Sequence, residues 1–146
     1  MATLECGSMA GSPTNKRKLI VLETDGVTVA RVRRIAGTLY DVYVEREAER
    51  ALERVLTDSS VAVLIAGASG DGSSAVAILE RIQSARPDVL RVMLASPGHL
   101  GAVVQGLHSG AVERPAQKPI DEHELFNALV TPRAGAPVSS AAALAR

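Results

Sequence analysis

Short apolar runs alternate along this chain with longer segments in which apolar residues recur every three or four positions. Residues 19–22 (LIVL), 61–65 (VAVLI) and 89–94 (VLRVML) are continuous or nearly so, as expected of strands buried on both faces. Residues 40–44 (YDVYV) give a weaker run, and 111–114 (AVER) a short, poor one. Between them, Val27, Ala30, Val32, Ile35 and Leu39 fall at helical spacing, as do Ala48, Leu52, Val55 and Leu56. Val76, Ile78, Leu79 and Ile82 mark a third helix. Leu100, Val103, Val104 and Leu107 mark a fourth, and Leu125 and Leu129, with Phe126 beside them, a fifth.

The punctuation agrees with this alternation. Ser96 and Pro97 supply an N-cap and a proline at the first helical position, and Gly110 is placed to end the same helix. Asp121, with Glu124 three residues later, has the form of a capping box. Five strands alternating with five helices predict an α/β fold, because each parallel connection needs a crossover. The flavodoxin-like order 2-1-3-4-5 is the common doubly wound five-stranded sheet. A ligand would sit where that order reverses, at the C-terminal ends of strands 1 and 3. Residues 1–16 and 132–146 lack apolar periodicity and are rich in Gly, Ser, Ala and Pro. They are expected to form a disordered leader and a flexible tail around a single domain, 17–131.

Composition narrows the function classes. Apolar residues make up 47% of the 146 but aromatics only 2%, so the core is aliphatic and no stacking platform for single-stranded nucleic acid is expected. Sixteen basic and sixteen acidic residues cancel, leaving no global field toward nucleic acid or an anionic membrane. The single cysteine, Cys6, cannot form an intramolecular disulfide or a thiolate metal site. No run reaches a membrane span and no secretory signal is visible, so the expectation is a cytoplasmic protein without a cofactor.

The C-terminal half carries the most specific pattern. Residues 91–95 (RVMLA), a helix closing at Gly110 and Ala111, and then Lys118 and Pro119 follow one another without a gap. This resembles a CheY-like receiver domain of bacterial two-component systems, over residues 18–131. The half is most similar to receivers found with HD-GYP phosphodiesterases, which read R-[IV]-[LM]-L-S-G, a helix, then E-G-A-x-x-R-x-x-x-K-P. Receivers bind Mg²⁺ through an acidic pair after strand 1 and phosphorylate an aspartate ending strand 3. A Ser or Thr ending strand 4, an aromatic on strand 5 and the lysine respond to the phosphoryl group.

By that resemblance the acidic pair falls on Glu23 and Thr24, with Asp25 next, and the phosphoacceptor on Gly67. The switch hydroxyl falls on Ala95, beside Ser96, and the aromatic on Pro115. One carboxylate of the pair is kept and the second is lost, and only Lys118 survives intact. Glycine has no side chain to phosphorylate, and Asp71, four residues further, should point away from Glu23 and Lys118. The resemblance therefore implies a degenerate pseudo-receiver without enzymatic activity, in which Lys118 pairs with Glu23.

Two further readings stay open. The loop 67–73 follows a buried strand and opens a helix, a setting where backbone amides favour anions; with Lys118 it could sense a small anion or nucleotide, although its G-x-x-G-x-G spacing is not a dinucleotide fingerprint. A working phospho-accepting receiver is the other. His99, His108 and His123 have no metal-ligand spacing and read as surface residues, and Ser69, Ser73 and Ser74 lack a hydrolase elbow. By resemblance, a partner signalling protein or a second copy would use the face of helix 4, strand 5 and helix 5, with Gln105, His108, Glu113 and Arg114 exposed on it.

Overall fold

The computed structural model describes residues 16–132. In chain order its elements are β1 Lys18–Leu22, α1 Gly26–Ala36, β2 Asp41–Glu45, α2 Ala48–Thr57, β3 Val61–Gly67 and α3 Ser73–Ala85. There follow β4 Leu90–Ala95, a 3₁₀ turn Pro97–His99, α4 Leu100–Ser109, β5 Arg114–Gln117 and α5 Glu122–Val130. All five strands pair in parallel in the order β2-β1-β3-β4-β5, as the alternation of patterns requires. The expected leader and tail lie outside the described residues, Lys16 and Pro132 apart.

Strand side chains alternate between two aliphatic layers. Leu19, Val21, Val63, Ile65, Val92 and Leu94 face α1 and α5, meeting Val32, Ile35, Leu125 and Leu129. Ile20, Leu64, Ala66 and Met93 face α2, α3 and α4, meeting Leu52, Val55, Leu79, Ile82 and Val103. A central residue such as Leu64 is fully buried, so truncation to alanine costs about 2–5 kcal/mol.

The helices turn differently from their apolar spacing in three places. In α1 the buried face is Thr28, Val32, Ile35 and Ala36, while Val27 is exposed. Asp25 caps the helix by accepting from Thr28 N at 3.1 Å and from its hydroxyl at 2.5 Å, which draws Thr28 inward in place of Val27. In α2, Ala51 rather than Ala48 or Leu56 joins Leu52 and Val55 inside. In α5, Phe126 stays outside.

The fifth strand is the main correction. It spans Arg114–Gln117, not 111–114. Ala111 and Val112 are buried, but as the turn that closes α4: Gly110 adopts φ +86° and Val112 N donates to Gly106 O. A Cβ on Gly106 would overlap Val112 Cγ2, so this turn can pack only under a glycine. The strand itself buries one apolar side chain, Ala116, and contains Pro115, which has no N–H to donate. Pairing with β4 alone, it forms a sheet edge where that omission is tolerated.

Two arginines hold the far end of the sheet. Arg91, 5% exposed, donates to the carbonyls of Ala111, Pro87, Val89 and Gly110 and faces Glu113 at 3.6 Å. Arg86 likewise gathers the carbonyls of Val55, Asp58 and Val61. A planar guanidinium can satisfy such divergent acceptors where an ammonium cannot.

Candidate functional site: a closed carboxylate–lysine pocket

At the C-terminal edge the loops after β1, β3 and β5 converge. Glu23 follows β1 directly, and its Oε2 accepts from the amides of Thr24 and Asp25, both at 3.0 Å. Its Oε1 lies 2.7 Å from Lys118 Nζ, with the two side chains 6% and 18% exposed. No hydrogen bond of good geometry reaches Oε1, so its compensation is the ionic contact. Lys118 is placed from both ends: its amide donates to Ala95 O at 2.9 Å, and Nζ reaches Ala68 O at 3.3 Å. The ammonium therefore ties the ends of β1 and β3 to the loop after β5. The pairing expected from the sequence is present, but the pair is buried rather than open to water.

Gly67 explains the burial. A Cβ built there would overlap Glu23 Oε1 and come within 2.8 Å of its Cδ. Glutamate, one methylene longer than aspartate, thus reaches into the space that a side chain at 67 would need. The remaining opening is a cavity of about 150 Å³ lined by Glu23, Thr24, Arg46, Gly67, Ser69 and Ser74, among others.

Asp25 does not join the pair. It serves α1 as the N-cap, and the Thr28 hydroxyl and amide hold its carboxyl below the ordinary range. Asp71 accepts from Ser73 N at 2.9 Å, a bond that likewise lowers its carboxyl. Ala95 is buried at the end of β4, paired with Gln117, and Pro115 pairs with Met93. Ser96 is the N-cap of the 3₁₀ turn Pro97–His99 and lines a groove together with Ala95, Pro97, Leu100, Val103, Pro115 and Glu124. Both oxygens of Glu23 and Oδ2 of Asp25 are engaged, and Gly67 offers none. Among the described residues no cluster of three His, Cys, Asp or Glu side chains could hold a metal.

No protein-family model matches the sequence, and no curated protein matches it. The fold does match solved structures. The signal receiver domain of an HD domain-containing protein from Pseudomonas fluorescens Pf-5 aligns with a TM-score of 0.67 at 22% identity, over 82% of this chain and 88% of that one. A response regulator receiver protein from Pseudomonas putida aligns at 0.68 and 16% identity, over 80% and 98%. The N-terminal receiver domain of a two-component response regulator from Bacteroides fragilis aligns at 0.67 and 17%, over 77% and 93%.

This chain has the CheY-like receiver fold. The residues expected on the face of helix 4, strand 5 and helix 5 divide in two. Gln105 and His108 are exposed on α4 as expected. Glu113 and Arg114 are not free: Glu113 accepts from Arg91 N, and Arg114 donates to the carbonyls of Ala128, Thr131 and Pro132. The other exposed side chains on α4 include apolar ones. Leu100, Val104 and Leu107 are 66%, 56% and 43% exposed and form one stripe along α4, beside a groove of about 370 Å³.

His99 escapes a reading as a surface residue. Its Nδ1 accepts from Ser96 N at 3.1 Å and its Nε2 meets Gly70 O at 3.1 Å. The signal was a capping residue followed three positions later by a side chain able to accept, with His in the usual place of Glu or Gln. Among the described residues no helix is long and apolar enough to cross a membrane.

Proposed function

We propose that this protein is a phosphorylation-independent pseudo-receiver, a protein-interaction module in bacterial two-component-type signal transduction. One observation carries the reading: the Glu23 carboxylate, closed by Lys118, occupies the volume above Gly67 where an acceptor side chain would stand. A receiver needs that volume for the phosphoryl group and free oxygens for its metal. Here both are consumed by an internal ion pair that holds one arrangement of the loops. The module's output is then its surface. The α4 stripe and the groove beside β5 are the apolar part of that surface, and single exposed apolar residues are ordinary where such a stripe is not. The partner is another signalling protein that brings apolar side chains to α4.

The small-anion or nucleotide reading loses its cation, because Lys118 Nζ is engaged by Glu23 and Ala68 O. Incubation with acetyl phosphate and Mg²⁺, followed by intact-mass measurement, is expected to give no hydroxylamine-sensitive adduct. Stoichiometric labelling of Asp25 or Asp71 overturns the proposal. So does a rise in melting temperature with phosphate or nucleotides, since a ligand selective for the folded state must stabilise it. For the surface, a protein captured by the native chain and rebuilt with purified components should be lost with Leu100→Glu/Val104→Glu. Retention of binding moves the interface elsewhere, and a concentration-dependent dimer abolished by the same pair makes the partner a second copy.

A further inference from the structure

The chain leaves α5 beside the outer edge of the sheet, and Arg114 fixes where it does so. From the start of β5 its guanidinium donates to Ala128 O and Thr131 O, both at 2.6 Å, and to Pro132 O at 2.9 Å. Beside this exit lies a hollow of about 300 Å³ lined by Arg114, Pro115, Glu124, Asn127 and Thr131, among others. Pro115 and Glu124 also line the groove of about 370 Å³ that reaches Leu100 and Val103 of α4. The two hollows make one furrow from the last described residues, across the edge of β5, to the first turn of α4. Pro115 has no N–H, and the Gln117 N–H is taken by a Glu124 oxygen at 3.0 Å, so the edge offers a further strand no donor at either position. An occupant of the furrow is therefore held by its side chains. The ionisable residues lining it are Glu124 and Arg114, and Arg114 is spent on carbonyls. Among the described residues no cation pairs with Glu124.

Residues 133–146 read RAGAPVSSAAALAR: two arginines, no acidic residue, and small side chains apart from Pro137, Val138 and Leu144. We propose that this segment is the occupant of the furrow, with Arg133 beside Glu124 and with Val138 and Leu144 on the apolar lining, so that the chain covers Leu100 at the head of its own α4 stripe. The charges match, because the furrow's carboxylate meets a cation one residue beyond Pro132. The lengths match as well. Glu124 and Thr131 are seven residues apart along α5, about 10 Å at the helical rise. Extended chain spans about 3.3 Å per residue, so Val138, six residues past Pro132, reaches about 20 Å and Leu144 about 40 Å. So short a tether holds the segment at an effective concentration on the order of mM, and contacts too weak to join separate molecules suffice to seat it. A partner for α4 must then displace the segment, which sets a threshold for binding. That competition rests on the reading of α4 as a docking surface; the seating of the segment rests on the furrow alone.

The test is a nitroxide attached at Ser140→Cys in a Cys6→Ser background of the full chain, read by the broadening of backbone amide signals. The amides of Leu100, Val103, Ala116 and Gln117 should broaden strongly, and those of Val42 and Val44, on the strand at the opposite edge of the sheet, should not. Val138→Ser/Leu144→Ser should abolish this contrast, and Arg133→Gln should reduce it by at least half. Broadening spread evenly over the surface, or a contrast unchanged by either set of substitutions, overturns the seating of the segment. So does equal broadening in a copy without the nitroxide mixed with the labelled one, which makes the occupant the tail of another molecule. For the consequence, a partner rebuilt with purified components should bind the Val138→Ser/Leu144→Ser chain several-fold more tightly than the native one. A segment that passes the nitroxide test while that affinity stays unchanged refutes α4 as the partner surface and leaves the segment in its furrow.

Discussion

Replacing Lys118 by methionine isolates the energy of the closed pocket. Methionine keeps most of the aliphatic stem and removes the ammonium, leaving Glu23 Oε1 with no partner in a site where the side chain is 6% exposed. For a pair at the surface the loss would be about 0–1 kcal/mol. Removing one member of a buried pair costs more, about 3–5 kcal/mol, because the surviving charge is stranded. Two features place this site at the low end. Lys118 is 18% exposed, and Glu23 Oε2 keeps its bonds to the Thr24 and Asp25 amides. The expected loss is therefore about 3 kcal/mol, a fall of about 1–3 M in the urea midpoint for slopes of ~1–3 kcal/mol/M. Adding Glu23→Gln, which removes the stranded charge at constant shape, should recover part of the loss and give a coupling of at least ~1 kcal/mol in a double-mutant cycle. A loss under about 1 kcal/mol for Lys118→Met, the value of an exposed pair, refutes the buried-pair reasoning. Simple additivity of the two single losses refutes it as well.

Gly67→Asp should destabilise rather than rebuild a metal site, since its Cβ overlaps Glu23 Oε1; a cost of about 1–3 kcal/mol for overpacking is expected in urea unfolding. Combining it with Glu23→Asp, which withdraws the carboxylate by one methylene, should recover at least half of that cost. Arg91→Lys should lose about 2 kcal/mol or more, because an ammonium leaves several of the carbonyls of Pro87, Val89, Gly110 and Ala111 unsatisfied, at ~1–3 kcal/mol for each buried group. An unchanged urea midpoint contradicts the clamp. Asp58 accepts from Lys18 at 2.6 Å and from the hydroxyl and amide of Ser60, with Lys18 the larger cause of a strongly lowered carboxyl. Its folded value lies below its unfolded one, so its contribution is present above about pH 4, the unfolded carboxylate value, and fades as pH falls toward the folded value. Asp58→Asn should flatten the acid limb of the stability–pH curve, and an identical acid limb would count against that bond.

The order of elements was legible in the chain because the signal for each is local. A run such as 61–65 is too apolar to be anything but a strand covered twice, and Ser96 with Pro97 and Gly110 bracket a helix by rules that act within one turn. The receiver positions followed from the resemblance, and so did the contact of that lysine with Glu23, although β3 and β4 stand between β1 and β5 and the lysine side chain reaches across their ends. Other facts required the assembled molecule. Strand β5 carries little hydrophobic signal, and Ala111 and Val112 imitate a strand until Gly106 gives them a place to pack as a turn. Whether the Glu23–Lys118 pair is wet or buried depends on how far a glutamate reaches over Gly67, a matter of ångströms across three strands. Val27 and Leu56 look inward by spacing but face outward, because the cap at Asp25 and the packing of Ala51 fix the rotation of their helices. Local sequence fixes which elements form; the rotation, burial and partners of each side chain come from contacts between residues distant in the chain, and these exist only once the sheet has closed.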